Sequence, residues 1–301
     1  MFKQLYRTRM RYSFSDRIFL TVNFLLVTVL FIIFLYPLLF ILSASFSGSV
    51  TTMGASLVPA KLSLSGYQTV FAYKDIWSSY LNSIFYVATG TLISLILTIS
   101  CAYPLSRDDF KGKGVIITLC MFTMYFQSGM IPIFLTMRNY NLLNTIWAVV
   151  LPGALSIYNM IVVRTYFKAQ IPKEMLESSQ IDGCGNLRFL IRIVIPLSGP
   201  IIAVIALFSA VMYWNSYFGP MLFLTERKLY PLSMILREIL VLNQQGVMNQ
   251  TVDVNEMLAL QERQHVMKYA LIVISSLPVM LLYPFIQKYF VKGVMIGAVK
   301  G

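Results

Sequence analysis

The sequence predicts an all-α, polytopic membrane protein with six transmembrane helices in a single domain, residues 1–301. Two observations carry this. Of the 301 residues 57% are hydrophobic and only 12% charged, against roughly 25% charged residues in an ordinary soluble domain. In addition, six apolar runs each reach the roughly 20 residues that a helix needs to cross a bilayer. The runs are apolar on every face and lack the alternation of a membrane barrel, so strands are not expected.

The predicted spans lie near 18–43, 82–104, 115–136, 145–166, 193–218 and 268–290. Lys3, Arg7, Arg9, Arg11 and Arg17 precede the first run as in a secretory signal, but the run far exceeds the roughly 7 to 15 residues of a signal core. It reads as an uncleaved span. Sixteen of the 24 Lys and Arg residues fall in the segments that follow an even number of crossings or at the span ends that border them, so both termini and the segment between spans four and five are expected in the cytoplasm. The 220–267 segment is then an outer loop, and 291–301 a cytoplasmic tail.

Charge and composition also exclude. The net charge of +12 is spread in small clusters between apolar runs, a topology signal for a lipid bilayer and not the footprint of a nucleic-acid partner. Cys101, Cys120 and Cys184 form no disulfide framework. His265 is the only histidine and no thiol has a partner at ligand spacing, so no metal site is expected. All twelve acidic residues lie outside the predicted spans, whereas ion-driven carriers commonly rely on ionisable groups within the membrane. No phosphate-cradling G-x-x-x-x-G-K-[ST] occurs, and no span holds an acid or histidine to activate a serine. The chain is therefore expected to be non-catalytic, without a cofactor of its own, and driven from outside.

The stretch "IPKEMLESSQIDGCGNLRFLIRIVIPLSGP", Ile171 to Pro200, is the most informative. Pro172 suits the first turn of a short helix, where its missing N–H is not needed. Glu174 and Glu177 fall in the early turns, where the positive end of the helix dipole favours acid. Ser178 and Ser179 keep the neighbouring surface small, and Gly183 suits a left-handed stop. The product is helix, glycine turn, helix: either a solvated hairpin between two spans or a docking knob.

The spacing of Glu177-Ser178-Ser179, then Gly183 after three residues, then Ile193-Val194-Ile195-Pro196 after nine, resembles the E-A-A, x3, G, x9, I-x-L-P signature of permease subunits in binding-protein-dependent ABC importers. Ser178 and Ser179 stand where alanines are usual, and Ile195 replaces leucine. "YLNSIFYVATGTLISLILTISCAYPLSR", "NLLNTIWAVVLPG" and "VVRTYFKAQIPKEMLESSQIDG" are similar to the carbohydrate branch, specifically to the smaller maltose-type permease. "FQSGMIPIFLTMRNYNLLNTIWAVVLPG" resembles the relatives that import larger saccharides. The resemblance implies a type I ABC importer permease fold and half of a translocation pathway for an oligosaccharide. It implies as partners a second homologous permease, two ATPase subunits that hold ATP and Mg, and an external solute-binding protein. It further implies that residues 171–190 are the coupling helix, with Glu174, Glu177, Ser178, Ser179, Asp182 and Gly183 meeting the ATPase. In the ending "YFVKGVMIGAVKG", Gly297, Val299, Lys300 and Gly301 map to a tail that reaches between the ATPase subunits.

A sugar route needs hydrogen-bonding and aromatic surface. Tyr213, Trp214, Asn215 and Tyr217 supply it near one end of span five, with Gln127, Tyr158 and Asn159 available from spans three and four. The same residues suit an aromatic belt or helix-bridging contacts. "PLSMILREILVLNQQ" spaces Leu232, Ile235, Leu236 and Ile239 on one helical face, for lipid or for an outer platform. The rival reading is an ion-coupled secondary transporter or membrane scaffold working without ATPases; it leaves the knob's spacing unexplained.

Overall fold

The computed structural model describes residues 13–48, 57–59, 61–126, 128–239 and 264–281, with 284 and 287. Among these the chain is helical, apart from one isolated antiparallel bridge between Ser47 and Leu62. The chain divides into two compact units: residues up to Thr69 with Val252–Val273, and Val70–Thr251 with the residues from Ile274 onward.

In the first unit, helix α1 (Phe14–Ser45) starts where the Asp16 carboxylate accepts the Ser13 N–H at 2.9 Å, satisfying one of the open donors of the first turn. Its apolar side chains are exposed along almost its whole length, and burial begins only at Ala44 and Ser45. That exposure is what lipid tolerates and water does not. Beyond α1 the chain turns back. Ser63 N–H donates to the Phe46 carbonyl, Gly48 N–H to the Lys61 carbonyl, and the Ser45 and Tyr67 hydroxyls lie 2.8 Å apart.

The second unit is built on α3 (Lys74–Ser106), which follows the short α2 (Ser65–Ala72). The buried face of α3 runs through Ser79, Ser83, Tyr86, Gly90, Ser94, Thr98 and Ala102 at intervals of three and four. Small residues at that spacing let neighbouring helix backbones approach closely, which replaces the hydrophobic drive that lipid does not supply. Against this face pack α7 (Ile157–Gln170) and α10 (Gly199–Asn215). Gly90 is obligatory here, because a Cβ would lie 2.5 Å from the Tyr213 ring, while the Ser94 and Ser209 hydroxyls meet at 3.1 Å.

Between them run α4 (Lys113–Tyr125), α5 (Met130–Asn139) and the single turn α6 (Ile146–Val150). Next come α8 (Lys173–Ile181) and α9 (Asn186–Leu197), then α11 (Phe218–Phe223), α12 (Leu232–Arg237) and α13 (Gln264–Leu281). A core of Met160, Val163, Phe167, Phe189, Val194 and Ile205 sits where α3, α7, α9 and α10 converge. Helix α9 contains a π-helical turn, Leu190–Val194, just before Pro196. Proline has no N–H and its ring crowds the carbonyl four residues back, so a locally widened turn relieves both demands.

Among the described residues three helices, α1, α3 and α13, are long and apolar enough to cross a membrane, and the total reaches five if α4 with α5 and α9 with α10 each count as one bent span. The α9–α10 bend is 84°, at Ser198 ahead of Gly199-Pro200. The single helix expected over 145–166 is instead α6 and α7, parted at Pro152 and Gly153, and neither piece reaches span length. Hydropathy was continuous there; backbone geometry was not.

Candidate functional site

The knob between α7 and α10 is closed by a complete C-terminal cap. Gly183 sits at φ +72°, a left-handed conformation disfavoured for residues with a Cβ. From it the Gly183 N–H reaches the Gln180 carbonyl at 3.0 Å, and the Cys184 N–H reaches the Ser179 carbonyl at 2.9 Å. These are the paired bonds of a Schellman motif, and they satisfy the carbonyls that the end of α8 leaves open. An added Cβ on Gly183 would meet nothing within 4 Å, so conformation, and not crowding, calls for glycine.

Helix α8 has two faces. Met175 and Leu176 pack toward the core, and Ser179 is only 6% exposed, its hydroxyl spent on the Leu176 carbonyl at 2.7 Å. Ser179 thus supports the knob from beneath and does not present itself on the surface. Glu174, Glu177, Ser178, Asp182 and Gly183 are all exposed. So are two residues that the sequence pattern did not single out, Ile181 at 87% and Leu187 at 69%. Their only signal in the sequence is an apolar residue flanking the glycine turn on each side. Ile181 follows Glu177 by four and Ser178 by three positions, so acid, hydroxyl and aliphatic groups share one outward face.

A polar cluster gathers at the foot of the knob. Asp108 accepts from Lys113 and Lys173, each at 2.8 Å, with Lys168 at 3.6 Å. Hydrogen bonds from Lys113 and Lys173 hold the Asp108 carboxyl below the usual carboxylate range, and the bond to Asp108 raises Lys173. Beside it Arg107 grips Asp109 with two nitrogens, which holds that carboxyl low and the guanidinium high.

The residues of the predicted sugar route divide. Tyr213 is buried, and its hydroxyl donates to the Val150 carbonyl at 2.8 Å. The Trp214 indole N–H donates to the Ser275 carbonyl at 3.1 Å, with its ring edge-on to Tyr80. Both are committed to holding α10 in place. Tyr158, Asn215 and Tyr217 are exposed, Arg237 lies 5.8 Å over the Tyr217 ring, and Asn159 is half-buried. Gln127 and the tail residues Gly297, Val299, Lys300 and Gly301 lie outside the described residues.

No family model matches the chain. It is 39% identical over 268 residues to the polygalacturonan/rhamnogalacturonan transport system permease protein YtcP of Bacillus subtilis (strain 168), covering 88% of this chain and 92% of that one. It is 37% identical to protein LplC of the same organism, over 95% of this chain and 96% of the other. Among solved structures, a bacterial ABC transporter involved in the import of the acidic polysaccharide alginate superposes with a TM-score of 0.82 at 35% identity, over 93% of this chain and 99% of that chain.

The chain belongs to the permease subunits of carbohydrate ABC importers.

The permease is thus a non-catalytic protein of the bacterial inner membrane, whose ATP hydrolysis is done on partner ATPase subunits and whose system includes a solute-binding protein. Ion-coupled carriage is not favoured. Among the described residues the ion pairs sit in turns and near helix ends, with no pair in the middle of an apolar span.

Proposed function

We propose that this permease is one membrane domain of six spans that forms half of an oligosaccharide path, paired with a second, homologous permease above two ATPase subunits. Both termini lie in the cytoplasm, and the segment from Glu174 to Gly183 is the coupling helix that seats in the ATPase. The observation that carries this reading is the exposed face of α8. Glu174, Glu177 and Ser178 line up with an 87% exposed Ile181, on a helix whose opposite face is anchored in the core. An aliphatic side chain ringed by polar groups on a rigid element is what a docking pocket can grip. ATP-driven closure of the ATPases then drags the knob and rocks the helices joined to it between inward-facing and outward-facing states. Lys300 and its neighbours in the tail add a second contact to the ATPases.

The alginate importer and the polygalacturonan/rhamnogalacturonan permease support an acidic oligosaccharide as the cargo. Tyr158, Asn215 and Tyr217, whose side chains are exposed, are the better candidates to meet it.

The test uses the reconstituted importer with its binding protein, measuring sugar taken up per ATP hydrolysed. Glu177→Ala and Gly183→Pro should each insert and assemble yet lower that ratio at least about tenfold, the consequence of roughly 1.4 kcal/mol of lost coupling. Wild-type ratios in both variants would remove the coupling assignment.

A further inference from the structure

Two adjacent residues at the end of α3 hold the two arms of the knob separately. The Arg107 side chain is only 11% exposed. Its Nε and Nη2 are fixed by Asp109, the former at 2.8 Å, and its Nη1 donates to the Asn186 Oδ1 at 2.6 Å and to the Tyr103 hydroxyl at 3.1 Å. Asn186 is the first residue of α9, three positions past the Gly183 turn. Asp109 sets the plane of the guanidinium, so the remaining nitrogen can reach Asn186 in only one orientation.

The other arm is held by the next residue. Asp108 accepts from Lys173, the first residue of α8, at 2.8 Å. Lys113 closes the loop on itself by reaching both Asp108 and the Arg107 carbonyl, the latter at 2.9 Å. Arg164 adds a bond from α7 to the Leu105 carbonyl at 2.9 Å.

Between the two holds lies Gly183, where the arms meet at φ +72°. Beneath them is a cavity of about 180 Å³, lined by Phe167, Leu176 and Phe189 among others. Arg107, Asp108 and Lys173 border the same pocket, so the polar holds lie at its rim and join the end of α3 to the apolar packing under the knob.

We infer that Arg107 and Asp108 are positioning residues that lock α9 and α8, respectively, to the end of α3, so that a push on the knob moves α3 with it as one piece. The inference rests on the coupling reading, and it adds a route: force enters at α8 and leaves through the α3–α4 loop. Asp108 is 39% exposed, so its pairs contribute little to overall stability. Their loss should show as looseness and not as unfolding.

The experiment is a spin-label distance measurement on the complete importer, with labels at Leu97→Cys on α3 and Leu187→Cys on α9 and the native cysteines replaced. It is run without nucleotide and again trapped with ATP and vanadate, so no sugar need be known. With the holds intact, the distance should be the same in both states. In D108N/N186A the distribution should roughly double in width, as when an arm loses its hydrogen bond. N186D keeps an acceptor for Arg107 and should restore the narrow distribution in the D108N background, at an unchanged melting temperature of the assembly. A distance that changes between states with the holds intact, or a double variant as narrow as the parent, overturns the inference. Failure of the docking reading shows elsewhere, in a normal uptake ratio for Glu177→Ala.

Discussion

Asn144 stands at φ +58°, a conformation that asparagine tolerates better than most residues. From that position its Oδ1 accepts the Thr225 and Glu226 N–H groups at 3.2 and 2.9 Å, and its amide donates to the Glu226 carboxylate at 2.7 Å. One side chain thus ties the α5–α6 turn to the segment after α11. Asn144→Ala should cost about 1–2 kcal/mol, because two backbone N–H groups lose their acceptor and alanine tolerates the left-handed conformation less well; a lowered thermal midpoint of the purified importer is the check, and an unchanged midpoint would mean that water replaces the amide. The same scale shows what could be read in advance. Glu174, Glu177 and Gly183 were legible because acid near a helix start and glycine at its end have local causes. Ser179 and Ile181 were not, since which of two helical faces turns inward depends on how α8 packs against the core that Phe167 and Phe189 form from the neighbouring helices. Tyr213 was legible as a polar aromatic, but its partner, the Val150 carbonyl, lies 63 residues away.

At the scale of elements, the cap of α8 converts one backbone angle into the shape of the knob. Gly183→Ala should cost about 1–2 kcal/mol of local stability through the left-handed penalty alone, with nothing near the new methyl to clash. Gly183→Asn should recover much of that, since asparagine is the next best left-handed residue. Amide exchange of Gly183 and Cys184, whose N–H groups close the cap, is the readout, and equal protection in all three proteins would refute the ordering. The apolar runs 18–43 and 82–104 fall within α1 and α3, and 268–281 falls within α13. Within 145–166 and 193–218 the chain breaks, because a hydropathy window passes over Pro152-Gly153 and Gly199-Pro200 without registering that a helix does not run through them unbroken.

For the molecule as a whole, the charged cluster at the end of α3 sets a working range. Asp108 is held below its ordinary value of 3.8, so its pairing is complete above that value and fades only as pH falls through the depressed one. Lys173 is raised above 10.5, so its share is complete below that value and is lost only as pH rises through the raised one. From about pH 5 to about pH 9 Asp108 and Lys173 therefore keep their charges. Intrinsic-rate-corrected exchange across α8 should be flat over that range, yet rise in about 1 M salt, where the screening length shrinks to roughly 3 Å. A step near neutral pH would point to a group outside the cluster.

The π-helical turn ahead of Pro196 has a consequence of its own. A widened turn holds one residue more than an α-helical path would need, and in an α-helix each residue swings what precedes it by about 100° around the axis. The count of residues between Gly183 and Pro196 therefore works as a compass setting more than as a ruler. Losing one would leave the reach of the segment almost unchanged while turning Ile181 toward a different quarter.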